Sequence, residues 1–133
     1  MEYKIDITTC VYILVIMLMF FCGTVFGQTF ATNETFKDNI AKDITVIEFW
    51  ADWNKANQFG GLEKLKDCTV YRACIAKCSD AANEYGIKAV PTVIIYDNGK
   101  EVKRFTPNIM LQLKASKSDV QSTIDEIVFN KFQ

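Results

Sequence analysis

The side chains of this sequence that could carry out chemistry are its cysteines. Among 133 residues there are five cysteines and no histidine. Without histidine the chain lacks the commonest general base, every Cys-His or Ser-His-Asp arrangement and the usual mixed zinc sites. Cys10 and Cys22 fall in an apolar N-terminal stretch, which leaves Cys68, Cys74 and Cys78 for the rest of the chain. Three is an odd count, so at least one of them stays unpaired within the chain. Cys68 and Cys74, joined by an extended strand, would stand roughly 20 Å apart, too far for a disulfide. Cys74 and Cys78 are four apart in Cys74-Ile75-Ala76-Lys77-Cys78. That spacing leaves open a bridge, a displaced redox pair, or two buried free thiols. Three cysteines without histidine and without CxxC spacing make a poor zinc set, so no metal is expected. No glycine-rich phosphate loop and no internal repeat is present, and no cofactor is expected.

The elements that must position these residues can be read in order. Thr32-Asn33-Glu34-Thr35 offers cap residues, and Phe36 and Ile40 lie four apart, which predicts a short helix near 33–42. Asn33-Glu34-Thr35 also matches a glycosylation sequon, of weight only in a eukaryotic secretory chain. Thr45 to Trp50 is a β-branched and aromatic run, the mark of a strand buried on both faces. A helix is expected from about Asn54 to Lys66, weakened in its middle by Gly60-Gly61. Thr69 to Ile75 reads as the next strand, and Ser79-Asp80 as the start of a helix that stops at Gly86. Thr92 to Tyr96, the turn Asp97-Asn98-Gly99-Lys100 and Glu101 to Phe105 form a β-hairpin. The apolar run Ile109-Met110-Leu111-Gln112-Leu113 is expected to pack as an extra edge segment; exposed, it would be a partner-binding patch. A last helix starts near Ser116 or Ser118 with a capping box and presents Val120, Ile124, Ile127 and Val128 on one face.

This order predicts an α/β fold with a mixed sheet of four to five strands and helices on both faces. Half of the residues are hydrophobic and 23% are charged, as in ordinary globular proteins. A net charge of −1 gives no electrostatic argument for nucleic acid or an anionic membrane surface, and no nucleic-acid partner is expected. Residues 1–27 stand apart as a signal peptide or an uncleaved N-terminal membrane anchor; residues 28–133 form the domain. The apolar stretch from Val11 to Gly27 would make a helix of roughly 25 Å, which only just spans a bilayer. Val25 and Gly27 fit a signal-peptidase site with cleavage before Gln28. The protein is therefore expected to be exported, periplasmic or extracellular, or anchored to a membrane through residues 11–27. Losing Lys4, Glu2 and Asp6 with that segment leaves 14 basic and 14 acidic residues.

Three stretches resemble the thioredoxin family. Val46-Ile47-Glu48-Phe49-Trp50-Ala51-Asp52-Trp53 resembles the strand that leads into the family's active site. Tyr85-Gly86-Ile87-Lys88-Ala89-Val90-Pro91-Thr92 resembles the segment with the family's cis-proline, and Tyr96-Asp97-Asn98-Gly99-Lys100 the turn after it. The resemblance implies a thioredoxin-like fold over roughly residues 45–130, with Val90-Pro91 in cis. It also implies that Trp53 precedes a Cys-x-x-Cys pair, whose first thiol would be activated at a helix N-terminus and whose second would resolve the mixed disulfide. This sequence reads Trp53-Asn54-Lys55-Ala56-Asn57. Asn54 stands for the nucleophile and Asn57 for the resolving thiol, and an amide can neither form a thiolate nor exchange with a disulfide. The catalytic pair is thus absent, and Cys74 and Cys78 remain as alternative thiols.

What the resemblance leaves is a scaffold. Asn54 is expected to cap the following helix, with a direct role in binding as the alternative. Glu48 falls where many family members keep a buried acid. It is either a relict carboxylate bonded to a nearby group or a residue that points elsewhere. The backbone before the cis-proline pairs with an extended peptide in the family, a contact that needs no cysteine. Trp53, Asn54, Lys55, Asn57, Val90 and Pro91 are therefore the expected groove for a polypeptide partner, or else they only pack the fold. The function expected is a redox-inactive binding or assembly module; the alternative is a thiol-disulfide oxidoreductase using Cys74 and Cys78.

Overall fold

β1 (Ile44–Trp50) is the strand about which the chain is arranged, and all of its residues are buried except the half-buried Trp50. A computed structural model of the protein describes residues 6–20 and 29–133. β2 (Thr69–Cys74) pairs with β1 in parallel, β3 (Thr92–Asp97) pairs with its other side antiparallel, and β4 (Lys100–Phe105) runs antiparallel to β3. The sheet order is β2-β1-β3-β4. Along the outer edge of β2, Ala31 N donates to Arg72 O and Arg72 N to Thr29 O, with a single bridge at Phe30. That segment covers one sheet edge, and the charged, exposed run Lys100-Glu101-Val102-Lys103 guards the other. Asn98 and Gly99 both have positive φ (49° and 86°), as a two-residue primed hairpin turn requires.

The period-two alternation of β1 and β3 sorts their side chains into two cores. Ile47, Phe49, Ile94 and Tyr96 face α2 (Phe36–Ile40) and α3 (Ser79–Glu84). Ile44, Val46, Val93 and Ile95 face α4 (Lys117–Lys131), which buries Val120, Ile124 and Ile127 against them. Each such side chain contributes about 1.5–3 kcal/mol when fully buried. α4 starts at Ser116 with the expected capping box, closed by Asp119. Ahead of α2, Thr32 and Thr35 bond reciprocally through side chain and backbone. α3 departs from expectation, because Ser79 and Asp80 do not cap it. Asn33 does so from across the fold, accepting from Ala81 N at 3.3 Å while its Nδ2 donates to Asp80.

At the N-terminus the helix α1 runs Ile7–Phe20 and starts earlier than the apolar stretch from Val11 to Gly27. Among the described residues no helix is long and apolar enough to cross a membrane. Gly23 to Gly27 and the expected cut before Gln28 lie outside the described residues.

The main correction concerns residues 54–66, where no α-helix forms. Two short 3-10 turns, Asp52–Asn57 and Leu62–Lys64, take its place. Gly60-Gly61 weakens the middle, and the backbone of Phe59 is claimed by other partners. Phe59 N donates to Glu48 Oε1 at 2.6 Å, and Phe59 O accepts from Arg72 Nη2 at 3.0 Å. The N–H is thereby lost to a helical ladder, while the carbonyl also accepts Leu62 N at 3.4 Å, an i→i+3 bond of the second 3-10 turn. Gly61 passes so close to α4 that a Cβ there would sit 2.8 Å from Lys117 Cβ.

Glu48 therefore points inward and is bonded, the first of its two readings. It is fully buried and receives Arg72 Nε on Oε2 at 2.8 Å; Arg72 also pairs with Glu63. Burial pushes the Glu48 carboxyl above its usual range, while the Phe59 N–H and the Arg72 charge pull it back. A Glu48→Ala variant leaves the buried guanidinium with Glu63 as its one carboxylate, beside the Phe59 carbonyl. It should lose about 3 kcal/mol in a urea titration, with amides of residues 52–66 exchanging faster. A loss below about 1 kcal/mol would show that the pair does not hold this loop.

Candidate functional site

The strand directions bring four loops to one end of the sheet: 51–61 after β1, 75–78 after β2, 86–91 before β3 and 106–115 after β4. The two asparagines lie on the first loop. Asn54 has φ −120° and ψ 24°, outside helical geometry, and no side chain caps the turn that contains it. The capping expectation is thus overturned, because the side chain is used elsewhere. Its Nδ2 donates to Val90 O at 2.9 Å and to Leu111 O at 3.1 Å, and its Oδ1 accepts from Asn57 Nδ2 at 2.7 Å. One carboxamide joins three loops.

The Val90-Pro91 bond is cis, as the resemblance implies. Val90 and Pro91 are nevertheless buried, and the Val90 carbonyl is already occupied by Asn54. Of the expected groove residues, Asn54, Asn57 and Val90 meet through hydrogen bonds. Trp53, at 67% exposure, and exposed Lys55 stand on the outside of the same loop.

The loop 106–115 differs from the packed edge segment expected of it. Asn108 Oδ1 accepts from both Met110 N (2.9 Å) and Gln112 N (3.0 Å), while Leu111 N donates to Asn108 O. Leu111 takes φ 57°, and Pro107 bridges to Leu113. The result is a small braced finger. Leu113 packs on the α4 core, while Ile109 is fully exposed at the tip and Met110 is 69% exposed. The finger went unread because its brace is one asparagine carboxamide, although Thr106-Pro107-Asn108 carries turn formers that hint at it. Arg72 was also missed. Its signal is the parallel register, in which it stands directly opposite Glu48.

The thiols are poorly placed for attack. Cys68, Cys74 and Cys78 are all free, and Cys74 and Cys78 are buried. Cys78 Sγ donates to Ala31 O at 3.0 Å; burial, with Cys74 adding, pushes that thiol up. Cys68 lies at the other end of the sheet, pushed up to about 11 by burial and then by Asp67. Such shifts favour the thiol over the nucleophilic thiolate. Cys78 N donates to Cys74 O, so the two cysteines are one turn apart, and Cys74 lines a cavity of about 340 Å³ with Phe30, Trp50, Asp52 and Lys77. Among the described residues, no three His, Cys, Asp or Glu side chains converge as a metal site.

Comparisons with known proteins agree with this geometry. Residues 28–122 match the family model for thioredoxin. A thioredoxin from Chlorobaculum thiosulfatiphilum is 30% identical over 98 residues, which cover 67% of this chain and 91% of that protein. A thioredoxin from Chlamydia trachomatis is 28% identical over 79 residues, 55% of this chain and 78% of that one. Among solved structures, Malassezia sympodialis thioredoxin superposes with a TM-score of 0.58 at 27% identity, covering 74% of this chain and 88% of the other. With the strand order, the cis-proline and the Asn54 loop in their places, the chain belongs to the thioredoxin family.

Proposed function

We propose that this domain works by holding a polypeptide partner and that positions 54 and 57 carry no dithiol chemistry. The observation that supports this most is the Asn54 side chain, whose donors and acceptor are spent on Val90, Leu111 and Asn57. A site that retains the tryptophan and the cis-proline while knotting its reactive positions together is suited to contact, not to exchange. With the Val90 carbonyl engaged, the partner meets the outer side of the loop, at Trp53 and Lys55. The domain belongs, in this proposal, to a protein that is exported or held at a membrane by its N-terminal apolar segment.

A second reading, a thiol oxidoreductase using Cys74 and Cys78, draws on their one-turn separation and the cavity at Cys74. Insulin reduction with dithiothreitol separates the two. The wild-type chain should run no faster than dithiothreitol alone. Catalysis that Cys74→Ser abolishes would sink the binding reading in favour of the second.

The scaffold itself can be tested by restoring the sulfur. The carboxamides of Asn54 and Asn57 touch at 2.7 Å, so the two side chains point at each other and thiols in their places would face one another. Asn54→Cys with Asn57→Cys should give measurable exchange, faster at pH 9 than at pH 7. The six-residue 3-10 segment gives little of the helix dipole that would lower the first thiol's pKa from about 8.5. Failure to form a disulfide in this variant would contradict the loop geometry.

For binding, Trp53→Ala should abolish the crosslinked adducts that the wild-type chain forms in an extract of its own cells. An unchanged adduct pattern would remove Trp53 from the contact surface.

A further inference from the structure

Next to the family's groove lies a second recess that is built from this chain's own finger. A cleft of about 370 Å³ separates residues 56–60 from Gln112 and Leu113. Its side-chain polar groups are carboxamides: Asn57, Gln58 and Gln112, with no charged side chain among the lining residues. Among the described residues the Gln58 and Gln112 side chains make no hydrogen bond, and Asn57 engages only its Nδ2. Gly60 adds bare backbone, with open space where a Cβ would stand.

We infer that this cleft seats an extended, acidic segment of the polypeptide partner. The inference rests on the binding reading above and names where and what that site binds. A carboxamide offers the same donor and acceptor pair as a peptide group, so a row of unspent carboxamides suits a partner's main chain. The charges around the cleft choose its side chains. Lys55 adjoins Ala56, Lys114 adjoins Leu113, and Lys117 lies against Gly61. All three are exposed, and among the described residues none pairs with a carboxylate. Of the acids nearby, Glu63 is committed to Arg72 and Asp119 to the Ser116 cap, which leaves Asp52 on the first loop as the exposed acid against these three lysines. A chain with almost no net charge thus presents positive potential here, which steers and selects acidic partners. The finger adds an apolar contact. Ile109 and Met110 are already held out by the Asn108 hydrogen bonds, so little ordering entropy opposes docking on them. A bilayer would meet that tip alone and leave the recessed carboxamides unused, which favours a polypeptide.

Fluorescence anisotropy with the full chain tests the assignment, using a labelled short peptide alternating Glu and Leu and a control alternating Lys and Leu. The acidic peptide should bind, and its affinity should fall with added salt. Its Kd should rise about tenfold or more in Gln58→Ala with Gln112→Ala. Lys55→Glu with Lys114→Glu should also lose it and take the Lys-Leu peptide instead, a swap that misfolding cannot mimic. The proposal is overturned by equal binding of the two peptides, by no peptide binding, by indifference to these substitutions, or by attachment only to phosphatidylserine vesicles. If Trp53→Ala removes the crosslinked adducts while the cleft variants bind peptide like wild type, the binding reading stands and the cleft assignment falls.

Discussion

A buried guanidinium that cannot lose its charge governs how the functional end of this molecule is built. Arg72 is 3% exposed on β2 and has to be met on every side. Glu48 meets its Nε from the neighbouring strand, Glu63 meets Nη1 from the loop, and the Phe59 carbonyl meets Nη2. Two of these partners come from residues 59–63, so the charge inside the sheet dictates where that loop must run. Desolvating such ions is expensive, and the arrangement is favourable only while each bond is made. The loop's own backbone bonds are only the short i→i+3 bonds of its two turns, so its course is set by its contacts with the sheet. That explains how it can consist of two short 3-10 turns and still present Trp53, Asn54 and Asn57 in a definite order.

Replacing two cysteines by asparagines changes more than reactivity. A carboxamide combines donors with an acceptor, where a thiol offers only a weak version of either. Asn54 uses both functions at once, reaching the loop before β3 and the finger after β4 while accepting from Asn57. Each such bond contributes about 1 kcal/mol net, and partly buried carbonyls that would otherwise lack partners gain them. At the end of β1 these bonds supply cohesion between loops. The same bonds anchor the base of the finger, so the substituted site and the projecting Ile109 and Met110 belong to one construction.

Much of this fold was legible because it rests on local patterns. β1 shows itself by an unbroken β-branched and aromatic run, the hairpin by Asn98-Gly99, and α4 by its capping box and the 3.6-residue spacing of Val120, Ile124 and Ile127. Even the cis bond before Pro91 followed from a resemblance across a few residues. The misreadings share the opposite property. Asn54 is an excellent cap by type, and only the distant carbonyls of Val90 and Leu111, 36 and 57 residues away, draw it elsewhere. Ser79 and Asp80 have the types and position of a local cap for α3, yet the capping bond comes from Asn33, 48 residues away from Ala81. Residues 54–66 have the composition of a helix, but Phe59 is bonded on both backbone groups by side chains of the sheet. Polar side chains that bond across the fold leave no period in a sequence.

Charge follows the same division between local and distant partners. At the far end of the sheet, Lys131 is drawn between Asp43 and Asp97, and along β4 Arg104 is drawn to Glu101. At the end that carries the loops, most of the acids are spent on structural tasks, Glu48 and Glu63 on Arg72 and Asp119 on the α4 cap, while Asp52 stays exposed. Lys55, Lys88 and Lys114 there stand exposed. Committing carboxylates to the interior and to a helix start therefore produces a basic surface without any excess of basic residues in the sequence. The net charge of the chain hides this segregation, and the loops that lost their sulfur are where it is concentrated. The clamp that shapes the first loop and the positive field over it thus have a common origin in where the acids went.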